Sequence, residues 1–110
     1  MISGSNVRPQ ELASTFSALG DHRRLAIIDR LQKESSLSVS SICEGMSVSR
    51  QAVSKHLKTL TEARLVSAEK SGRETRYSLE FSRLEEANAF LVQVAAKWDN
   101  ALERLKSHVE

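Results

Sequence analysis

With 110 residues the chain has room for one domain and one core, and at 40% apolar composition it is too hydrophobic to stay unfolded. It contains no run of about 18 apolar residues, so no segment reads as a membrane-spanning helix. The net charge of +2 decides little, whereas a single cysteine, Cys43, excludes an intrachain disulfide framework and fits a reducing cytoplasm.

The opening MISGSNVRPQ has no apolar stretch of the secretory kind, and residues 1–8 read as a disordered leader. Pro9, the only proline, suits the first position of a helix in which Leu12, Phe16 and Leu19 recur at helical spacing. Gly20 ends that helix and Asp21 caps the next, where Leu25, Ile28 and Leu31 predict a buried stripe beside Ile27. The second helix stops near Lys33. Leu37 to Val39 then allows a very short strand, and Ser40 is positioned to cap a brief helix over residues 41–45 that buries Ile42.

After a tight turn, Met46-Ser47-Val48, Ser49 is the next N-cap, opening a helix from Arg50 to about Ala63. The period then changes from helix to strand. LVSAEKSGRETRYSLEF reads as a β-hairpin turning at Ser71-Gly72-Arg73. A long helix from Ser82 to about His108 follows, with Leu84, Leu91, Trp98 and Leu105 seven residues apart. The fold class is therefore mainly α with a small β-hairpin. The scarcity of proline, glycine and aromatic residues agrees with a helical core of Leu, Ile, Val and Ala.

The helix over 50–63 carries the functional signal. Val53, Leu57 and Leu60 share one face, which leaves Arg50, Gln51, Ser54, Lys55 and Lys58 to solvent. Such side chains suit DNA: glutamine matches adenine edges, arginine matches guanine, and serine serves either base or phosphate. Together with the short helix before it, this segment makes a helix-turn-helix over about residues 40–63, whose second helix enters a major groove at its N-terminal end. The bland alternative is the solvated face of an ordinary amphipathic helix. Against it stands the basic hairpin that follows, with Lys70, Arg73 and Arg76. Residues 50–76 hold seven Lys/Arg against three Glu, a local +4 within a chain of +2. No nucleophile elbow, Gly-rich phosphate loop or zinc-protease helix is present, so an enzyme is not expected.

FSALGDHRRLAIIDRLQ, SVSRQAVSKHLKTLTEARLVSAEKSGRETRYSL and WDNALERLKSHVE together resemble the ArsR/SmtB family of winged-helix transcriptional repressors. The resemblance runs from about Pro9 to the C-terminus. It implies a winged helix-turn-helix with long N- and C-terminal dimerisation helices, a wing over residues 65–80 and a dimer helix over 82–108. It further implies a cytoplasmic homodimer that represses transcription from an inverted-repeat operator in double-stranded DNA, usually in its own operon. By the family pattern Ser49, Arg50, Gln51, Ser54 and Lys55 contact the groove, and Arg73 and Arg76 sit in the wing.

Many members of that family sense metals. Their Cys-x-Cys pair falls here on Ser38 and Ser40, and serine is a poor ligand for soft ions that need thiolate. Of the second family site, Asp99 is followed at the next-but-one position by Ala101 in place of histidine, and His108 and Glu110 do not share a helix face. His22 reads as solvated, and His56 as packed or facing phosphate. No metal and no cofactor are expected. Cys43, beside Ile42 and Met46, reads as a small core residue. A metal- or thiol-responsive repressor using Cys43 is the close alternative, and a winged-helix module that binds protein instead of DNA is the alternative from another class. Any small-molecule effector is unidentified.

The last helix carries more apolar surface than one small domain needs. About 26 residues rise roughly 39 Å, enough to pass beyond the core. Leu91, Val94, Trp98, Leu102 and Leu105 are expected to meet Leu12, Phe16 and Leu19 of the first helix and the same residues of a second copy. That pairing would set two recognition helices about 34 Å apart, on successive major grooves.

Overall fold

The computed structural model describes residues 8–109, so the expected leader lies outside the described residues except for Arg8. Arg8 is extended, and its carbonyl accepts the first two helical bonds, from Glu11 and Leu12, of α1 (Pro9–Leu19). Gly20 closes α1, and Asp21 begins α2 (His22–Lys33) as anticipated, its carboxylate accepting the backbone N–H groups of Arg23 and Arg24 at 3.0 and 3.1 Å.

The buried face of α2 differs from the sequence reading. In α2 the core residues are Ile27 and Leu31, four apart, while Leu25 is 49% exposed and Ile28 half-buried. Both stripes have helical spacing, and only the direction from which the other helices arrive chooses between them. In α1 the buried residues are Thr15 and Ala18, which leaves Leu12, Phe16 and Leu19 half-buried. Small residues at that contact let α1 lie close against the core.

The short strand is real but ends a residue early, as β1 (Leu37–Ser38). Ser38, not Ser40, caps the following helix, α3 (Val39–Glu44): its hydroxyl accepts the N–H of Ser41 at 3.2 Å. Any of the serines in LSVSS would cap a helix. The choice falls to Ser38 because Leu37 and Ser38 are held extended by pairing with Tyr77 and Arg76.

α4 (Arg50–Glu62) opens on Ser49, whose hydroxyl accepts the N–H of Ala52, and buries Val53, Leu57 and Leu60 completely. Its C-terminus is a Schellman turn. The N–H of Leu65 donates to Leu60 O, and that of Arg64 to Thr61 O, with Arg64 left-handed at φ 61°. Leu65 and Leu60, both fully buried, make the apolar contact that accompanies such a turn. β2 (Val66–Ser71) and β3 (Glu74–Leu79) form the hairpin, with Ser71 facing Glu74 so that the turn is Gly72-Arg73 alone. Gly72 at φ 65° supplies the positive angle that a two-residue hairpin turn requires. β1 joins the far side of β3, giving a three-stranded antiparallel sheet ordered β1-β3-β2. Ile27, Ile42, Val53, Leu57, Leu60, Leu65 and Val66 form the centre of the core, drawn from every element between α2 and β2 except β1.

α5 (Ser82–Val109) starts against this core and leaves it. Arg83 donates to Glu11 at 3.0 Å, and the Phe16 and Phe90 rings lie 6.1 Å apart, so α5 runs beside α1. Among the residues of α5 whose burial is described, Ala87 is the last buried one. No helix among the described residues is long and apolar enough to cross a membrane.

Candidate nucleic-acid interface

α3, the turn over residues 45–49 and α4 bring together the side chains that the sequence singled out. Ser49, Arg50, Gln51, Ser54, Lys55 and Lys58 are all exposed, on the flank of α4 away from Val53, Leu57 and Leu60. The order follows from helical spacing, since a face that buries positions 53, 57 and 60 must present 51, 54, 55 and 58 outward. Two of these residues also serve the fold. The Ser49 oxygen is occupied as the α4 cap, which leaves its hydroxyl proton to donate, and Arg50 Nη1 donates to Ser40 Oγ at 3.0 Å. That bond holds the guanidinium across the turn between the two helices, at the N-terminal end of α4.

The hairpin divides its basic residues. Lys70 and Arg73 are exposed at the tip. Arg76 is not at the tip. Its Nε and Nη2 donate to Ser36 Oγ and Ser36 O at 2.9 and 3.0 Å, and its Nη1 meets Glu74 at 3.1 Å. Arg76 thus fastens β3 to the residue before β1, and its guanidinium is committed to that joint. Its place in the sequence showed a basic hairpin; alternation along a six-residue strand did not show which cations point back toward the body. Among the described residues, Lys55, Lys58, Lys70 and Arg73 have no carboxylate within 4.0 Å, so their charge is uncompensated.

Two supporting groups were not legible in the sequence. Arg30 Nη1 donates to the carbonyls of Ser41 and Ile42 at 3.0 and 2.8 Å, covering the open C-terminal end of α3. Gly45 leaves space for it, because a Cβ there would lie 2.7 Å from Arg30 Nη1. Arg24 and Asp21 meet His56 from the α1–α2 corner, 32 positions from Arg24 in the chain. Neither contact has a local signature.

The residues at the family's metal positions do not fit a metal. Ser38 uses its hydroxyl as the α3 cap and toward Ser41 Oγ, and Ser40 accepts from Arg50. Neither offers thiolate. Among the described residues no three His, Cys, Asp or Glu side chains gather as a ligand set. Glu110 lies outside the described residues, and the pairing of His108 with it goes untested. Cys43 is half-buried against the core cluster, His22 is exposed, and His56 is packed.

The second surface is on α5. Leu91, Val94, Trp98, Leu102 and Leu105 are 51, 37, 66, 56 and 61% exposed. Val94, Trp98 and Ala101 line an open groove flanked by Gln93 and Lys97. Apolar surface of this extent is rare on a lone soluble chain and marks a contact.

A helix-turn-helix followed by a basic hairpin on a three-stranded sheet defines the winged-helix regulators. A family profile described as "Bacterial regulatory protein, arsR family" matches residues 21–68. An ArsR-like transcriptional regulator from Rhodococcus sp. RHA1 is 39% identical, with a TM-score of 0.75 over 92% of this chain and 94% of that one. The homodimeric winged helix-turn-helix DNA-binding domain of a Mycobacterium bovis protein is 29% identical, with a TM-score of 0.64 over 80% of each chain. The transcriptional repressor SmtB homolog of Synechocystis sp. is 40% identical over 70 residues, 64% of this chain; the match spans about half, 52%, of that repressor. The chain belongs to the ArsR family of transcriptional regulators, whose members are regulators and not enzymes.

Proposed function

We propose that this regulator is a sequence-specific DNA-binding repressor that acts in the cytoplasm as a homodimer on an inverted repeat, controls its own operon, and does not respond to metal. The carrying observation is the coincidence of an exposed Arg50-Gln51-Ser54-Lys55-Lys58 face with uncompensated Lys70 and Arg73 beside it. Gln51, Ser54 and Arg50 have the chemistry to read base edges in a major groove. Lys55, Lys58, Lys70 and Arg73 hold the phosphates on either side. Arg76 contributes by fixing the wing's angle.

Homodimerisation rests on the exposed α5 stripe with half-buried Leu12, Phe16 and Leu19 alongside. It is supported by the Mycobacterium bovis relative, which is described as homodimeric and DNA-binding. Two copies joined along α5 and α1 give two recognition helices related by a two-fold axis, and therefore a palindromic site. Serines in place of thiolates support independence from metal.

The experiment is selection of bound duplexes from a randomised pool at near-physiological salt, followed by sequencing. An inverted repeat with half-sites about one helical turn apart is the expected result. A bound fraction identical to the input, from protein shown to be folded, would overturn the reading.

A further inference from the structure

Arg24 stands where three helices meet. From α2 it reaches back to the last turn of α1, its Nε donating to Ala18 O at 2.7 Å and its Nη2 to Ser17 O at 3.3 Å. Its Nη1 lies 3.3 Å from Nδ1 of His56, on α4. Asp21, which caps α2 through the N–H groups of Arg23 and Arg24, lies 4.0 Å from the other ring nitrogen, Nε2. The His56 side chain is only 17% exposed and sits on the half-buried flank of α4 with Ala52 and Thr59.

Chemistry orders this contact. A guanidinium has donors only, so a ring nitrogen bonded to it must accept. His56 therefore keeps Nδ1 bare toward Arg24, with its proton on Nε2 facing the Asp21 carboxylate. One side chain of α2 thereby ties the recognition helix to the terminal carbonyls of α1. Ser17 O also accepts the Gly20 N–H at 3.1 Å, whereas Ala18 O, at the end of the helix, depends on Arg24. α1 also carries Leu12 and Phe16, part of the proposed dimer face, while α4 carries the proposed reading face.

The geometry points to Arg24 and His56 as a positioning pair. It sets the angle of the recognition helix relative to the dimer frame and so tunes operator affinity without touching DNA. This rests on the repressor reading above. In a dimer the two reading faces must fit grooves at a fixed spacing, so a small rotation of α4 about its own protomer's frame is doubled across the axis. Non-specific binding tolerates that rotation, because phosphates occur all along the duplex.

The test compares operator and random-duplex binding by His56→Leu, Arg24→Met, the double variant and His56→Asn, well below their unfolding temperatures. In asparagine the side-chain oxygen takes the place of Nδ1 and restores the acceptor. His56→Leu and Arg24→Met are each expected to weaken operator binding roughly tenfold and leave random-duplex binding and the dimer unchanged. The double variant should lose no more than the worse single, and His56→Asn should recover most of the loss. Undiminished operator binding by His56→Leu overturns the proposal. So do equal losses on both duplexes, or losses that multiply in the double variant. Should a variant fail to fold, nitrogen-15 shifts of His56 in the wild type decide the contact, since a protonated Nδ1 excludes it. Wild-type protein without operator preference overturns the repressor reading itself, and this proposal with it.

Discussion

α4 and α5 are both amphipathic helices, yet they dispose of their apolar faces in opposite ways. In α4, Val53, Leu57 and Leu60 are fully enclosed by the chain itself, and what remains outside is polar and basic. In α5, Leu91, Trp98, Leu102 and Leu105 remain more than half exposed on a helix about 42 Å long by its 1.5 Å rise per residue. The difference is one of partners. α4 is packed between α2, α3 and β2, whereas beyond Ala87 α5 has left its own core. An apolar stripe that the fold encloses serves stability, and one that the fold leaves open serves association.

Breaking the α4 side should unfold the protein. Leu57→Ala removes a fully buried side chain and is expected to cost about 2–5 kcal/mol in urea unfolding. Breaking the α5 side should dissociate it instead. Trp98→Ala is expected to raise the dimer dissociation constant roughly 30-fold or more in sedimentation equilibrium, with far-UV circular dichroism unchanged. If Trp98→Ala instead unfolded the chain without shifting association, the contrast between the helices would be wrong.

Smaller effects separate the polar groups. Gln51→Ala should cost about 1–3 kcal/mol of discrimination at its base pair. Arg73→Ala should weaken all sequences alike and lower the slope of log affinity against log salt by about one. Altered base preference in Arg73→Ala would remove the wing from the phosphates. At the end of α4, Arg64→Gly relieves a left-handed arginine and is expected to stabilise by about 0.5–1 kcal/mol in thermal unfolding.

The smallest effect concerns acid. The Arg24 backbone N–H, and to a lesser degree that of Arg23, hold the Asp21 carboxyl below its usual 3.8 against the opposing effect of desolvation. A depressed folded-state pKa means that the stabilisation is complete above 3.8 and is lost as pH falls through the lower folded value. Asp21→Asn keeps a capping side chain and should flatten that part of the acid-unfolding curve; an unchanged curve would show that the cap's charge is idle.

Much of the site was legible because it depends on helical period and local capping. Gly20, Asp21 and Ser49 marked helix ends through their own side chains or the lack of one, and the burial of Val53, Leu57 and Leu60 forced Gln51, Ser54, Lys55 and Lys58 outward. The places where the structure departs from or refines the sequence reading share a cause. Leu25 and Ile27 sit on overlapping stripes of α2, Ser38 and Ser40 are equally good caps, and Arg76 alternates as a wing residue should. In each case two local solutions are close in free energy, and a distant contact decides: the approach of α3 and α4, the pairing of Leu37 with Tyr77, the reach of Arg76 to Ser36.

By itself, the sequence determined the order of elements, the exposed basic face of α4 and the surplus apolar stripe of α5, because period, capping and charge are written in neighbouring residues. Tertiary structure alone decided that Arg76 braces the wing, that Arg30 covers the end of α3, and that His56 meets Arg24 across 32 positions. Such contacts depend on where long, flexible side chains end once the helices have packed, and no local pattern encodes that meeting.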